Sequence, residues 1–271
     1  LHGGPGAGTS PMYQKFFDPG KYHLIMFDQR GCGKSLPYGE TSNNTTQDLI
    51  SDINVILNYL KIQRVHIYGG SWGSTLALLY AEDYPEKVLS LILRGVFLCR
   101  KNDIQWFYQH GASEIYPAYW EDYISNVKVS ERSDILGAYH KMIFSDDTKV
   151  AEKACRDWSL WEGRSSCMIP SKHVIDAFDD CSVSLARIES HYFINKCFID
   201  ENQILKNIDR ILEIPCKIVH GQYDIVCPIR QAYDLTKLYP KSQLIVAPDA
   251  GHSLLEPSIS REILKLLNDV T

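Results

Sequence analysis

The sequence lacks the features that mark several classes of protein. It has no apolar run that approaches the roughly 20 residues a membrane-spanning helix needs. Its first residues, LHGGPGAGTSP, contain neither the basic stretch nor the apolar stretch of a secretory signal peptide. It also has little excess charge, because 28 Lys and Arg stand against 33 Asp and Glu, a formal net charge of -5. Without a basic footprint we expect no nucleic acid as a partner, and we expect no membrane either.

The chain also lacks any cysteine pattern that indicates a metal site. Its eight cysteines include no C-x-x-C pair and form no cluster with histidine at the spacing of metal ligands. They are scattered over a chain of 271 residues, which is long enough to bury a large core without disulfide bonds. We therefore expect no metal, no cofactor and reduced thiols, which favours a cytoplasmic protein. The sequence carries no signal for an oligomeric state.

Short apolar segments alternate with segments of helical spacing over much of the chain. HLIMFD, RVHIYG, VLSLILRGV, PCKIVHG and SQLIVAP have the β-branched and aromatic character of buried strands. Their alternation with helical segments predicts an α/β fold in which a mostly parallel sheet is flanked by helices. HGGPG follows Leu1 directly and is typical of a loop after a strand. We therefore expect that the first strands of the sheet precede Leu1 and are missing from this chain.

The middle of the chain differs in composition from both ends. Residues 99–199 are rich in Trp and Tyr, with helical spacing and little strand character. We therefore expect one core domain formed by residues 1–98 and 200–271, with a helical cap inserted at residues 99–199. In open α/β sheets, ligands bind at the carboxyl ends of the strands, so an insertion at that edge can act as a lid over a site.

Ser71 stands where a predicted strand gives way to a predicted helix. The segment IYGGSWGSTLALLY places glycines at 69, 70 and 73 around this serine, which gives the pattern G-x-S-x-G. On a strand–turn–helix this pattern is the nucleophile elbow of the α/β-hydrolase fold, where a sharp turn exposes the serine hydroxyl. The alternative is a glycine-rich turn in which the serine caps the following helix.

Two further residues complete the set that a nucleophilic serine requires. A base must remove the hydroxyl proton and a carboxylate must orient that base, in the chain order Ser, Asp or Glu, then His. His252 in PDAGHS follows the predicted strand SQLIVA, and Asp224 follows the strand in CKIVHGQYD. Asp249 is the alternative acid, although it shares a loop with the histidine and suits a turn. We therefore predict Ser71, Asp224 and His252 as catalytic residues.

The loop HGGPG, residues 2–6, is a candidate for stabilising negative charge. A tetrahedral intermediate needs N–H donors aimed at its oxyanion. HGGPG is similar to the glycine-rich oxyanion loop of esterases and lipases. We expect the N–H of Gly4, or that of Gly3, to act together with the N–H of Trp72, which follows the predicted nucleophile. A plain tight turn is the alternative.

Six motifs extend from residue 1 to the end of the chain: HGGPG, DQRGCGKS, GGSWGSTLALLYA, ARIESHYF, HGQYDIVCP and AGHS. Together they resemble the motifs of proline iminopeptidases, which are serine peptidases of the α/β-hydrolase fold. The resemblance implies a helical cap over the site and peptide substrates from which an N-terminal proline is released. The three residues predicted above match the triad of that family. The Gly3–Gly4 pair and Trp72 match its oxyanion hole.

The resemblance also assigns a role to two glutamates of the predicted cap. Cap glutamates of the family hold the free amino group of the substrate, and they match Glu162 in WSLWEG and Glu189 in ARIESHYF. A prolyl N-terminus is a cation at neutral pH, so an exopeptidase needs buried negative charge at a fixed distance from its nucleophile. Taken alone, each glutamate would instead suit a solvated helix face. The proline pocket of the family matches the positions of Phe97, Phe107 and Phe193.

Two positions depart from the pattern of the family. Ser190 stands where Asn is expected in ARIESHYF. Gln222 stands where Arg is expected in HGQYD, and this removes a charge beside the acid loop. Neither position carries the predicted chemistry.

Two other functions fit part of these observations. An esterase or amidase would use the same triad with a different pocket. A hydrolase-fold module that binds a partner without catalysis is the second alternative. An intact triad weighs against such a module, because binding alone does not require three matched residues.

Overall fold

A four-stranded parallel sheet forms the centre of the protein. The computed structural model describes residues 1–269. The strands lie side by side in chain order, and all three pairings are parallel. The predicted parallel sheet is therefore confirmed. The strands are β1 (Val65–Gly70), β2 (Val88–Arg94), β3 (Cys216–Gly221) and β4 (Ser242–Ala247).

Twelve α-helices accompany the sheet within residues 1–269. They are α1 (Thr46–Tyr59), α2 (Trp72–Asp83), α3 (Lys101–Tyr108), α4 (Ala112–Ile115), α5 (Pro117–Ile124), α6 (Ile135–Ile143), α7 (Thr148–Ser165), α8 (Lys172–Asp180), α9 (Ser182–Ile194), α10 (Gln203–Lys206), α11 (Arg230–Leu238) and α12 (Pro257–Asp269). Short 3₁₀ helices span Pro11–Phe16, Pro85–Lys87, Val129–Glu131, Lys196–Phe198 and Ile208–Arg210.

Helices cover both faces of the sheet. Side chains alternate between the two faces along a strand, so neighbouring residues of β2 enter different clusters. Ile92 belongs to a cluster with Ile263 of α12. Leu91 and Leu93 belong to the larger cluster, which contains Leu79 of α2. Burial on both faces explains why the central strands β2 and β3 are nearly continuous apolar runs.

The long connection between β2 and β3 is helical. Helices α3 to α10 follow one another between Arg94 and Cys216, and this stretch contains no strand. Local signals begin several of these helices; the Asp147 carboxylate, for example, accepts hydrogen bonds from the first N–H groups of α7. Both helices that carry the two predicted substrate-binding glutamates, α7 and α9, belong to this connection.

One predicted strand is wrong. HLIMFD, residues 23–28, forms no strand in the structure. A cavity of about 450 Å³ is lined by Ile25 and Phe27 from this segment and by Ile67 of β1. A strand needs a neighbouring backbone to exchange hydrogen bonds with, and this segment and β1 line the cavity without pairing to each other. The expectation that strands precede Leu1 stays a prediction.

Close backbone approach at the end of β1 makes Gly69 sensitive to substitution. A Cβ atom at this position would overlap the carbonyl oxygen of Gly73 in the first turn of α2. We expect Gly69→Ala to lower the free energy of unfolding by about 1–3 kcal/mol, because backbone atoms cannot rotate away from the added methyl group. Urea-induced unfolding measures this change.

Gly20→Ala is the matched control for this experiment. Gly20 is exposed, and the nearest atom to an added Cβ would be a carboxylate oxygen of Asp18, at 3.2 Å. We expect its unfolding free energy to stay within about 0.5 kcal/mol of the parent. Equal stability of the two variants would contradict the role of close backbone approach at Gly69.

Candidate active site

Ser71 occupies a strained turn between β1 and α2. Its backbone has a φ of 57° and a ψ of −127°, a conformation that is rare for residues with a side chain. Hydrogen bonds hold the turn on both sides: the Ser71 N–H donates to the Arg94 carbonyl at 2.9 Å, and the Ser74 N–H donates to the Ser71 carbonyl at 2.8 Å. The Ser71 hydroxyl makes no capping hydrogen bond with α2, whereas the helix-cap alternative requires one.

The HGGPG loop lies against this serine. Gly3 is so close that a Cβ on it would be 3.2 Å from the Ser71 Cβ, and Gly3 and Gly4 line one cavity together with Ser71. Trp72 is the first residue of α2, where an N–H group has no partner within the helix. Backbone N–H groups of the loop and of the helix start are therefore near the serine, where an oxyanion would form.

Gln29 joins the HGGPG loop to the start of α2, and no sequence pattern pointed to this residue. Its side-chain amide donates to the His2 carbonyl at 3.0 Å and accepts from the Trp72 indole N–H at 3.0 Å. Its backbone N–H donates to Nε2 of His2 at 2.9 Å. Burial lowers the pKa of His2 to about 4, so the ring is neutral and can accept this hydrogen bond. Gln29 thereby fixes the loop relative to α2.

Asp224 and His252 meet beyond the ends of β3 and β4. The His252 Nδ1 and the Asp224 Oδ2 are 2.7 Å apart, and both side chains are buried. The other Asp224 oxygen, Oδ1, accepts a hydrogen bond from the Cys227 N–H at 2.8 Å. Asp249, the alternative acid, is exposed to solvent.

A second histidine also contacts the acid. His220 Nε2 is 3.3 Å from Asp224 Oδ2, and its Nδ1 accepts a hydrogen bond from the Val96 N–H at 3.2 Å. Burial alone would raise the pKa of Asp224, but the hydrogen bonds and electrostatic attraction of His252 and His220 outweigh it and hold that pKa well below its ordinary value. The carboxylate is therefore ionised and can orient the imidazole of His252.

The environment of His252 favours its neutral form. Burial lowers its pKa below 6.5, although the Asp224 charge and hydrogen bond oppose this effect, and the nearby Arg94 charge lowers it further. Arg94 also donates a hydrogen bond to the His252 carbonyl, which anchors the loop that carries the imidazole. With its Nδ1–H held by Asp224, a neutral His252 leaves Nε2 as the proton acceptor.

Ser71 and His252 face the same cavity, which has a volume of about 520 Å³. Within residues 1–269, no direct hydrogen bond joins the hydroxyl to the imidazole. Hydrogen bonds of this kind are often long in a free enzyme and shorten when substrate binds. The arrangement supplies a strained serine, a neutral base and an ionised acid, in the order that nucleophilic catalysis requires.

Glu162 and Glu189 form a buried carboxyl pair. They are only 6% and 3% exposed and hydrogen-bond to each other, unlike residues of a solvated helix face. The Tyr108 hydroxyl donates to Glu162 Oε1 at 2.6 Å, and the Trp158 indole donates to Glu189 Oε2 at 2.7 Å. Neither donor was found from sequence, although Trp158 precedes Glu162 by one helical turn.

The pair keeps a proton more readily than an isolated carboxyl group. Burial raises the pKa of both Glu162 and Glu189, and the charge of Glu162 raises that of Glu189 further. Two carboxylates in contact cannot both ionise easily, so one proton is shared between them. Without that proton the pair is a strong site for a cation, and Glu162 lines the cavity that contains Ser71.

The three predicted pocket phenylalanines are buried around Tyr108. The rings of Phe97 and Phe193 meet edge to face, with centroids 5.9 Å apart. Tyr108 lies 4.9 Å from Phe107 and 5.4 Å from Phe193, and it stacks on Trp158 at 4.4 Å. Tyr108 therefore contacts both the phenylalanine cluster and the carboxyl pair.

Among the residues that the structure describes, no group of three or more His, Cys, Asp and Glu side chains is placed to hold a metal ion. No helix in residues 1–269 is both long enough and apolar enough to cross a membrane.

Solved structures show the same fold. An esterase from Rhodococcus sp. ECU1013 aligns with a TM-score of 0.65 at 18% identity, covering 100% of this chain and 90% of the esterase. A thermophilic esterase from Thermogutta terrifontis aligns with a TM-score of 0.66 at 17% identity, covering 99% and 86%. At such low identities these similarities support the fold alone.

A family model described as alpha/beta hydrolase fold matches residues 1–258, so the chain has the fold of the α/β-hydrolases, as predicted. A probable proline iminopeptidase from Leptolyngbya boryana is 50% identical over 262 residues, 96% of this chain and 82% of that protein. The proline iminopeptidase of Arabidopsis thaliana is 47% identical over 268 residues, 97% and 70% of the two chains. The chain belongs to the proline iminopeptidase family.

The position of Ser71 generates a direct test. We expect Ser71→Ala to lose covalent labelling by a fluorophosphonate and to lower kcat/KM by at least about 10⁴-fold, since the hydroxyl is the attacking group. Ser90→Ala, on β2 and away from the cavity, should keep both properties. Labelling of Ser71→Ala at parental rate would contradict the assignment.

The lowered pKa of His252 predicts a pH profile. Only the neutral imidazole can accept the serine proton, so the rate rises with pH through the pKa of His252 and then levels off. Since that pKa lies below 6.5, we expect kcat/KM for an uncharged ester to reach half its maximum below pH 6.5. An uncharged substrate avoids any contribution from the carboxyl pair. A midpoint above pH 6.5 would count against a buried, neutral base.

Proposed function

We propose that this chain is a serine exopeptidase that releases N-terminal proline from peptides. The observation that carries the proposal is the buried Glu162–Glu189 pair, of which Glu162 lines the cavity that contains Ser71. An esterase has no need for buried negative charge beside its nucleophile. A peptide with a free N-terminal proline presents a cation at a fixed distance from its first peptide bond, and the pair is suited to hold it. The names of the curated relatives support the same activity.

The reaction begins with attack of the Ser71 Oγ on the proline carbonyl carbon. His252 Nε2 takes the hydroxyl proton, and Asp224 stabilises the imidazolium that results. N–H groups of Gly3 or Gly4 and of Trp72 stabilise the oxyanion. The imidazolium then gives its proton to the leaving amine, the C–N bond breaks, and a prolyl ester of Ser71 remains. Water, activated by His252, hydrolyses this ester and releases proline.

The substrate-binding residues fix which bond is cut. The carboxyl pair binds the prolyl ammonium through charge-assisted hydrogen bonds, which are stronger than neutral ones. Phe97, Phe107 and Phe193 form the apolar pocket that receives the flat pyrrolidine ring. Because the ammonium must reach the pair, only the bond after the first residue meets Ser71.

We also propose the division into a core, residues 1–98 and 200–271, and a cap, residues 99–199. The helical stretch between β2 and β3 supports this division, because it contains both glutamates. Ser71, Asp224 and His252 instead follow β1, β3 and β4 of the core. The cap would then hold the ammonium and the core would perform the chemistry. A cytoplasmic location is proposed from the eight cysteines, none of which is in a disulfide.

The carboxyl pair provides the test of the exopeptidase proposal. We expect Glu189→Gln, and likewise Glu162→Gln, to lower kcat/KM for a proline amide by one to two orders of magnitude, because a charge-assisted hydrogen bond contributes roughly 1.5–3 kcal/mol. Hydrolysis of an uncharged ester by Ser71 should survive, since it makes no use of the pair. An N-acylated proline amide, which offers no cation, should be a poor substrate for parent and variants alike.

Glu152→Gln is the matched control, because Glu152 is an exposed glutamate on the same helix as Glu162. It should retain parental turnover of every substrate. Normal cleavage of proline amides by both pair variants would reject the exopeptidase and favour the esterase or amidase. Absence of turnover and of fluorophosphonate labelling in the parent would favour a binding module.

A further inference from the structure

We propose that the cavity beside Ser71 binds the substrate residue that follows the proline, and that it favours an apolar side chain there. The inference rests on the proposed exopeptidase function and extends it from the released proline to the leaving peptide. We call the cavity of about 520 Å³ that contains Ser71 the leaving-group cavity.

The position of the cavity relative to Ser71 supports this occupant. Phe97, Phe107 and Phe193 do not line it, so the apolar cluster proposed for the proline ring lies outside this cavity. His252 does line it, as does Leu254 in the same loop. The imidazole must deliver a proton to the leaving nitrogen, so the residue that carries this nitrogen has to lie beside His252. The leaving-group cavity is the space that meets this requirement.

The chemistry of the walls supports an apolar occupant. Three separate parts of the chain contribute apolar side chains: the segment after the HGGPG loop, helix α8 and the loop after His252. They are Met12, Tyr13, Val174, Phe178, Leu254 and Leu255. An apolar side chain gains free energy on leaving water for such walls, whereas a charged one would lose its hydration without a partner.

The charged groups on the cavity do not change this expectation. The Arg94 guanidinium is only 7% exposed and already donates to the His252 carbonyl. His173 and Asp180, on α8, are exposed to solvent and mark an outer rim. Glu162 also lines the cavity, but in the proposed function it binds the prolyl ammonium together with Glu189. The interior therefore offers no free charge to a polar side chain, and the hydrated rim lets a longer peptide continue outwards.

Helix α8 decides how selective the cavity is. Val174 and Phe178 lie four residues apart on one face of this helix and both line the cavity. Asp176 and Asp179 lie on exposed positions of the same helix. The volume of about 520 Å³ falls within the roughly 300–1,000 Å³ of small-molecule sites, which leaves room for one large side chain and the backbone that follows it.

The test compares proline dipeptide amides that differ only in the second residue. We expect kcat/KM for Pro-Leu-amide and Pro-Phe-amide to exceed that for Pro-Gly-amide by at least about tenfold, with Pro-Asp-amide at or below Pro-Gly-amide. All four pass through the same prolyl ester of Ser71, so the preference must appear in the acylation step and not in hydrolysis of the ester.

Variants of α8 locate the preference in the cavity. Phe178→Ala should lower the ratio of Pro-Leu-amide to Pro-Gly-amide cleavage by roughly threefold or more. A ratio measured on one preparation does not depend on how much of the variant is folded. Asp179→Ala changes an exposed residue of the same helix that does not line the cavity, and it should keep the parental ratio.

The outcomes separate this inference from the proposed function. Equal cleavage of all four amides by the parent would overturn the leaving-group preference and leave the exopeptidase proposal standing. An unchanged ratio in Phe178→Ala would overturn the assignment to this cavity. Failure to cleave any of the four amides, while an uncharged ester is hydrolysed, would overturn both proposals.

Discussion

The strained backbone of Ser71 is the constraint on which the rest of the site depends. Its φ of 57° is retained because hydrogen bonds from Ser71 to Arg94 of β2 and from Ser74 to Ser71 fix both sides of the turn. The same turn places the hydroxyl above the carboxyl ends of the strands. His252 and Asp224 reach that edge because their loops follow β4 and β3 of the same sheet. One short turn thus sets where the whole reaction takes place.

The helical connection is tied directly to the HGGPG loop. The Ser184 hydroxyl of α9 donates to the Gly6 carbonyl at 2.8 Å. Gly6 has a φ of 115°, and a Cβ on it would lie 2.8 Å from the Leu185 Cα, so only glycine permits this approach. Helix α9 also carries Glu189. The distance between the HGGPG loop and the carboxyl pair is therefore set by backbone contact, and an exopeptidase requires such a fixed distance.

The buried carboxyl groups of the site fall into two sets that have different partners. The Asp224 carboxylate is ionised because two histidines contact it, and it orients the base. Within residues 1–269, the hydrogen bonds to the Glu162–Glu189 pair come from two uncharged donors, Tyr108 and Trp158, and from within the pair. A carboxyl pair without a cation is costly to ionise until one arrives. This contrast supports the proposed roles, in which one carboxylate serves catalysis and two serve binding.

The sequence alone determined the features that depend on local chain geometry. The parallel sheet followed from strand-like runs, and Ser71, Asp224 and His252 could be placed because each follows such a run. HLIMFD was mispredicted because a strand also needs a partner, and apolar character does not show whether one is in reach. The resemblance named Glu162 and Glu189, but only the tertiary structure decided that they form a buried pair, that Tyr108 and Trp158 are its donors, and where the leaving-group cavity lies. These depend on how α3, α7, α8 and α9 pack, and residues far apart in the chain leave no periodic signal of such contacts.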